Sequence, residues 1–259
     1  MNRRNALLLT AIISICWIAS TLSQDIGSSS VTQNLDLPYN AETSEVTEED
    51  AAEIIFFYGQ QYEGDAFVFC VDRSGSMMDR GELDRAKREI VRNIMEFNVK
   101  TEFAVCFFSD ELLMWPASGA TVPASYNMKR AACAWIGGID RGVYSCPKDG
   151  LARSIRAINR SSNDRRCIIY VGDGGGTCLR PRWKRGIVQG GAFTDRGWGA
   201  INIFEAQYLQ ATLAEVQRLN YKRVSINSVG VMMAGQREVH HQFVENLARN
   251  NNGTYRRID

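Results

Sequence analysis

Two patterns of apolar residues alternate along the chain: short continuous runs, and longer stretches in which apolar residues recur every three or four positions. The stretches AFVFCVD (66–72) and RCIIYVG (166–172) are short, continuous apolar runs, which predict β-strands buried on both faces. After the first run, apolar residues recur at steps of three and four, which predicts a helix with one apolar stripe. The members of this stripe are Leu83, Ala86, Ile90, Ile94 and Phe97.

The rest of the chain continues the alternation. Residues 102–116 predict two strands joined by a Ser-Asp-Glu turn, and therefore one antiparallel edge strand. Three further helices are predicted, at residues 150–160, 201–220 and 239–253. Two further strands are predicted, at residues 223–233 and 254–258. Strands that alternate with helices predict an α/β fold: a doubly wound, mostly parallel sheet with helices on both faces.

The two N-terminal segments differ from this body. Residues 1–23 have a basic start and a short apolar run followed by small residues, which predicts a signal peptide cleaved after Ser23. An uncleaved membrane anchor is the alternative. Residues 24–55 carry eight acids and no lysine or arginine, which predicts an acidic, flexible tail or linker. The folded domain is then expected at 56–259, in a protein that is secreted, periplasmic or held at the cell surface.

Charge and cysteine content indicate which kind of partner the domain could bind and whether it forms disulfides. Without the two N-terminal segments, 28 of the 30 basic and 21 of the 29 acidic residues remain, so the body is mildly basic. This permits an acidic partner and gives no reason to expect nucleic acid. Six of the seven cysteines also remain, and an even number in an exported protein favours disulfides. A Cys133–Cys146 bridge is preferred because it closes a short loop, and Cys146–Cys178 is the rival.

Oxygen ligands follow directly after two of the predicted strands. Asp72, Ser74 and Ser76 form an Asp-x-Ser-x-Ser motif after the first, and Asp173 follows the second. Ligands of open α/β sheets bind at the carboxyl ends of the strands, so these side chains are expected to converge. Carboxylates and hydroxyls suit a hard divalent cation, Mg²⁺ or Mn²⁺.

These motifs resemble those of von Willebrand factor type A (vWA) domains. FVFCVDRSGSM is similar to the family's first strand and metal motif, IIYVGDGGG to the strand that carries Thr-Asp-Gly, and the C-terminal stretch to the closing strand and helix. The resemblance covers roughly residues 67–258. It implies a Rossmann-like vWA fold, a metal-ion-dependent adhesion site (MIDAS) with Mg²⁺, and protein binding without catalysis.

Two positions depart from the family pattern. Ile139 stands where the family places a metal-contacting threonine, and Asp140 is the nearest residue that could replace it. Ser145 is a weaker candidate. Gly172 stands where the family has the threonine before Asp173, which removes one hydroxyl.

The predicted function is therefore an exported adhesion or assembly module, not an enzyme. Its partner would be a protein that completes the metal shell with an acidic residue. The basic stretch LRPRWKRG, with Arg180, Arg182, Lys184 and Arg185, would add attraction to that partner, unless it is simply a solvated loop. Two alternatives stay open: a scaffold vWA domain with no working metal site, and a metal-dependent hydrolase. The hydrolase is disfavoured because no general base is evident near Asp173.

Overall fold

The computed structural model describes residues 51–78, 80–178 and 195–259, and for 195–203 the backbone alone. The predicted signal peptide, nearly all of the acidic segment and the basic stretch lie outside these residues. Within the described part of the chain, no helix combines the length and the apolar character that crossing a membrane requires.

A mixed sheet of seven strands forms the centre of the domain. Its main path runs β5–β4–β3–β7–β8–β9, and β6 pairs with β4. Neighbouring strands are parallel, except that β5 and β6 run antiparallel to β4. The strands are β3 (Ala66–Asp72), β4 (Glu102–Phe108), β5 (Leu112–Trp115), β6 (Val122–Pro123), β7 (Arg166–Gly172), β8 (Ser225–Gly230) and β9 (Tyr255–Arg257).

Helices cover both faces of this sheet, so the predicted doubly wound α/β fold is confirmed. The helices are α1 (Gly75–Met78), α2 (Glu82–Glu96), α3 (Tyr126–Gly137), α4 (Pro147–Ile158), α5 (Asp195–Leu219) and α6 (Glu238–Arg249). Alternate residues of β3 serve the two faces: Phe67, Phe69 and Val71 pack with α2 and α3, whereas Val68 and Cys70 pack with α4, α5 and α6. Between their ends, β3, β4 and β7 are apolar because both faces of the sheet are covered.

A two-stranded hairpin precedes the sheet, and the sequence analysis did not predict it. It consists of β1 (Glu53–Phe57) and β2 (Gln60–Gly64), paired antiparallel. The predicted boundary of the acidic linker at residue 55 is therefore wrong, because its last three residues belong to β1. Glu53 is part of the fold: its carboxylate accepts hydrogen bonds from the Asn98 amide (2.7 Å) and the Thr101 hydroxyl (2.8 Å).

Candidate metal centre

The Asp-x-Ser-x-Ser motif leaves the sheet at the carboxyl end of β3. Asp72, the last residue of that strand, is fully buried. Its Oδ1 accepts a hydrogen bond from the Ser74 amide at 2.7 Å, which turns the chain sharply after the strand. The hydroxyl oxygens of Ser74 and Ser76 lie 3.2 Å apart. The motif therefore gathers one carboxylate and two hydroxyls in one turn, and their role as metal ligands stays a prediction.

Asp173 follows β7, which is the direct neighbour of β3 in the sheet. The side chain is 6% exposed, and its Oδ1 accepts a hydrogen bond from the Gly175 amide at 3.0 Å. The structure also explains Gly172. A Cβ at that position would lie 2.7 Å from the Tyr170 hydroxyl and 3.2 Å from the Asp72 Cβ. Tyr170 fills the space that a threonine side chain would need.

Ser145 brings a further hydroxyl to Asp72 from the loop between α3 and α4. Its Oγ lies 2.6 Å from Asp72 Oδ2 and 2.9 Å from the carbonyl oxygen of Gly175, either of which can accept its hydrogen. The loop is paired with the chain after β7: the Thr177 amide donates to the Ser145 carbonyl, and the Ser145 amide donates to the Thr177 hydroxyl, both at 2.9 Å. Residue spacing alone favours Asp140 over Ser145, because it does not show the path of the loop.

Asp140 occupies a different position in the same loop. Its side chain is exposed, and its backbone carbonyl accepts a hydrogen bond from the Arg73 guanidinium at 3.0 Å. Ile139, the residue in place of the family's threonine, packs into the core. Among the described hydrogen bonds, none joins the Asp140 side chain to Asp72 or to the motif's serines. Its role as a metal ligand stays a prediction. So does the role of Arg180, Arg182, Lys184 and Arg185, which lie outside the described residues.

The charge on Asp72 is poorly compensated. Burial raises the pKa of this carboxyl group, and the negative charge of Asp173 raises it further. Hydrogen bonds from Ser145 and Ser74 offset only part of this effect, so the pKa reaches about 7. Among the described residues, no lysine, arginine or histidine forms an ion pair with Asp72 or Asp173. A buried carboxylate pair without a cation is unfavourable, and a divalent ion would relieve it.

The donor set fits a hard divalent cation. Two carboxylates and three hydroxyls at one end of the sheet offer oxygen alone, which is the chemistry that Mg²⁺ and Mn²⁺ prefer. Asp72, Ser74, Ser76, Asp173 and Ser145 would hold the ion. A bound ion would supply positive charge to this site and a coordination position for an external oxygen ligand.

One disulfide lies beside the centre. Cys146 is bonded to Cys178, with their Cα atoms 4.7 Å apart. The preferred Cys133–Cys146 pairing is therefore wrong, and Cys133 is a half-buried free thiol in α3. Two hydrogen bonds pair the backbone at Ser145 with Thr177. They place the next residues, Cys146 and Cys178, side by side, which explains the disulfide.

A second buried carboxylate, Glu205 in α5, holds the loop after Asp173 from the other side. It accepts hydrogen bonds from the Gly176 amide (2.9 Å) and from Arg237. Its Oε1 also lies 3.1 Å from His240 Nε2. Burial alone would raise the pKa of Glu205, but the hydrogen bonds from His240, Gly176 and Arg237 outweigh it and lower the pKa to about 2. The sequence analysis missed this cluster, although a lone acid in the apolar stretch INIFEAQYL was a usable signal.

Comparison with known proteins gives the fold and little else. No family model and no curated protein matches the sequence. Among solved structures, a von Willebrand factor type A protein from Catenulispora acidiphila aligns with a TM-score of 0.57 and 18% identity, over 77% of this chain and 40% of its own. The vWF domain of the type V pili tip protein Mfa5 from Porphyromonas gingivalis aligns with a TM-score of 0.53 and 11% identity, over 74% of this chain and 89% of that one.

A third structure, the pilus adhesin SpaC from Lactobacillus rhamnosus GG, aligns with a TM-score of 0.54 and 12% identity, over 75% of this chain and 28% of its own. The chain thus spans less than half of two of these three proteins. The described domain has the fold of the von Willebrand factor type A domains.

Proposed function

We propose that this protein is an exported adhesion or assembly module that binds another protein through a divalent metal ion. One observation carries the proposal: the carboxylates of Asp72 and Asp173 are both buried at the carboxyl ends of neighbouring strands, a hydroxyl contacts Asp72, and no lysine, arginine or histidine of the described residues forms an ion pair with either carboxylate. Two of the structural neighbours are a pili tip protein and a pilus adhesin, which supports a role outside the cell.

In this proposal Mg²⁺ or Mn²⁺ binds to Asp72, Ser74 and Ser76, with Asp173 and Ser145 directly or through water. Mg²⁺ takes six oxygen ligands, so one oxygen from each of these five residues leaves at least one coordination position open. An acidic side chain of the partner completes it. The basic stretch around Trp183 adds a salt-dependent attraction to the same partner.

Ser145, rather than Asp140, completes the protein's side of the site. Its hydroxyl contacts the Asp72 carboxylate, whereas the Asp140 side chain is exposed. Ser145→Ala and Asp140→Ala therefore form a matched pair in the same loop. We expect Ser145→Ala to weaken Mg²⁺ binding several-fold and Asp140→Ala to leave it unchanged. The reverse order would assign the ligand to Asp140.

Partner capture tests the function itself. The protein is immobilised in Mg²⁺ and exposed to surface proteins extracted from its source, and the same is done with Asp72→Asn. A partner that is retained by the wild type, released by EDTA and absent from the variant supports the proposal. The basic stretch is then tested with all four of its cations replaced by glutamine, which should mainly slow association and flatten its salt dependence.

Retention that ignores both EDTA and the variant would contradict the metal-bridged mechanism and favour the scaffold alternative. Turnover of a phosphate or carboxylate ester that depends on Asp72 and on metal would instead favour the hydrolase.

A further inference from the structure

The disulfide between Cys146 and Cys178 lies where it can control the metal centre. Cys146 directly follows Ser145, whose hydroxyl contacts Asp72. Cys178 directly follows Thr177 and ends the segment that begins with Asp173. The bridge therefore joins the two loops that contribute Ser145 and Asp173.

Among the described residues, three hydrogen bonds also join these two loops. The Thr177 amide donates to the Ser145 carbonyl, the Ser145 amide to the Thr177 hydroxyl, and the Ser145 hydroxyl reaches the Gly175 carbonyl. All three hydrogen bonds are made by residues at most three positions from Cys146 or Cys178. Each is worth little alone against the freedom of two irregular loops, because water competes for the same groups.

The two loops are otherwise anchored separately. Glu205 holds the segment after Asp173 through the Gly176 amide. Arg73 holds the other loop through the Asp140 carbonyl, and Asp110 holds it through the Val143 amide at 3.0 Å. Without the bridge, these anchors keep each loop near the sheet, and the spacing between Ser145 and Asp173 depends on the three hydrogen bonds between the loops alone.

From this placement we infer that the disulfide is a positioning element of the metal centre, and that the centre binds Mg²⁺ tightly only when the bridge is formed. The inference rests on the proposed function. It adds that metal binding follows oxidation, so that a newly made, reduced chain has a weak site until it reaches an oxidising compartment.

The chemistry of opening the bridge is a thiol–disulfide exchange. Cys146 is buried and Cys178 half-buried, so a reductant thiolate attacks the sulfur of Cys178. The S–S bond breaks, Cys146 leaves as a thiolate and takes a proton from water, and a mixed disulfide remains on Cys178. A second thiol of the reductant displaces Cys178, which is also protonated. The chain gains two electrons and two protons, and the reductant becomes a disulfide.

The experiment measures Mg²⁺ affinity by calorimetry on the full chain in three forms. These are the oxidised wild type, the wild type reduced with dithiothreitol and desalted without oxygen, and the Cys146→Ser/Cys178→Ser double variant. Cys133→Ser is the matched control, because Cys133 is a free thiol in α3 away from the two loops. Circular dichroism confirms that each form is folded.

We expect the reduced and double-variant proteins to stay folded and to bind Mg²⁺ at least ten-fold more weakly, with Cys133→Ser equal to the wild type. Equal affinity of the oxidised and reduced forms would overturn the inference and leave the proposed function intact. Loss of the fold on reduction would also overturn it, because the bridge would then serve the whole domain. Absence of Mg²⁺ binding in the oxidised wild type would reject the proposed function, and the inference with it.

Discussion

Asp72 and Glu205 are both buried carboxylates near the carboxyl end of the same sheet, yet their pKa values move in opposite directions. Glu205 has Arg237 and His240 as partners, and its pKa falls to about 2. Asp72 has hydroxyl and amide donors, faces Asp173, and its pKa rises to about 7. Burial disfavours the charge on both; hydrogen bonds from His240, Gly176 and Arg237 outweigh it at Glu205, whereas the negative charge of Asp173 adds to it at Asp72.

The difference distinguishes a carboxylate that is paired within the chain from the carboxylate that we propose as a metal ligand. Glu205 forms an ion pair with Arg237, which directly precedes α6, and accepts a hydrogen bond from the Gly176 amide. It therefore joins the segment after Asp173 to the start of α6. Asp72 forms no ion pair among the described residues, although Arg73 is its direct neighbour in sequence. The Arg73 guanidinium points instead to the Asp140 carbonyl and to Glu111. The missing positive charge at Asp72 is what a metal ion would provide.

Neutralising Glu205 should give the largest change in stability. Glu205→Gln keeps the shape of the side chain and removes the negative charge that Arg237 contacts. We expect the free energy of unfolding to fall by about 1–3 kcal/mol, toward the lower end because the Arg237 side chain is partly exposed. Chemical denaturation measures this. Glu215→Gln in the same helix removes an exposed ion pair with Arg218 and should change little. Equal effects of the two variants would contradict the buried role of Glu205.

Neutralising Asp72 should have the opposite effect on stability: in metal-free protein it should raise the free energy of unfolding. In Asp72→Asn the amide oxygen can still accept from Ser74, the amide nitrogen can donate to Ser145 Oγ, and the Ser145 hydroxyl can donate to Gly175. The variant removes the repulsion with Asp173 and the cost of a buried charge. We expect a gain of about 1–2 kcal/mol in EDTA, measured by denaturation. A clear loss of stability would show that Asp72 is already compensated.

The pH dependence of stability should also differ between the two carboxylates. The folded pKa of Asp72 lies above its ordinary value of 3.8, so the metal-free folded state binds more protons and its stability falls as the pH rises from about 4 to 7. The folded pKa of Glu205 lies below its ordinary 4.5, so its contribution is complete above that value and is lost as the pH falls toward 2.

Denaturation in EDTA from pH 4 to pH 8 checks this, with each variant compared with the wild type. The stability gap between Asp72→Asn and the wild type should widen with rising pH over this range. The gap between Glu205→Gln and the wild type should stay nearly constant above pH 5. Parallel curves for all three proteins would refute the opposite shifts.

The sequence predicted the parts of the site that depend on strand order. Asp72 and Asp173 each follow a continuous apolar run, and such runs form neighbouring parallel strands whose carboxyl ends meet. Ser74 and Ser76 lie within one short turn of Asp72, so their proximity is local. These features need no knowledge of how the loops run.

The features that depend on loop paths could not be predicted. Ser145 reaches Asp72 because the loop after α3 pairs with Thr177, and Cys146 bonds to Cys178 for the same reason. The hairpin of β1 and β2 was missed because the acids before Ile54 favoured a solvated segment, whereas Glu53 is fixed by Asn98 and Thr101. Pairings between residues far apart in sequence decide the first two cases, and in the third they fix Glu53 to Asn98 and Thr101.

The most direct test of a metal centre at Asp72 is the melting temperature of the oxidised protein during titration with Mg²⁺ and with Mn²⁺. An ion that binds only the folded state raises the melting temperature in proportion to the logarithm of its concentration once the site is saturated. We predict such a rise for the wild type, with a larger rise at pH 8 than at pH 5, and no rise for Asp72→Asn. Equal curves for the wild type and Asp72→Asn, whether flat or rising, would contradict a metal centre at Asp72.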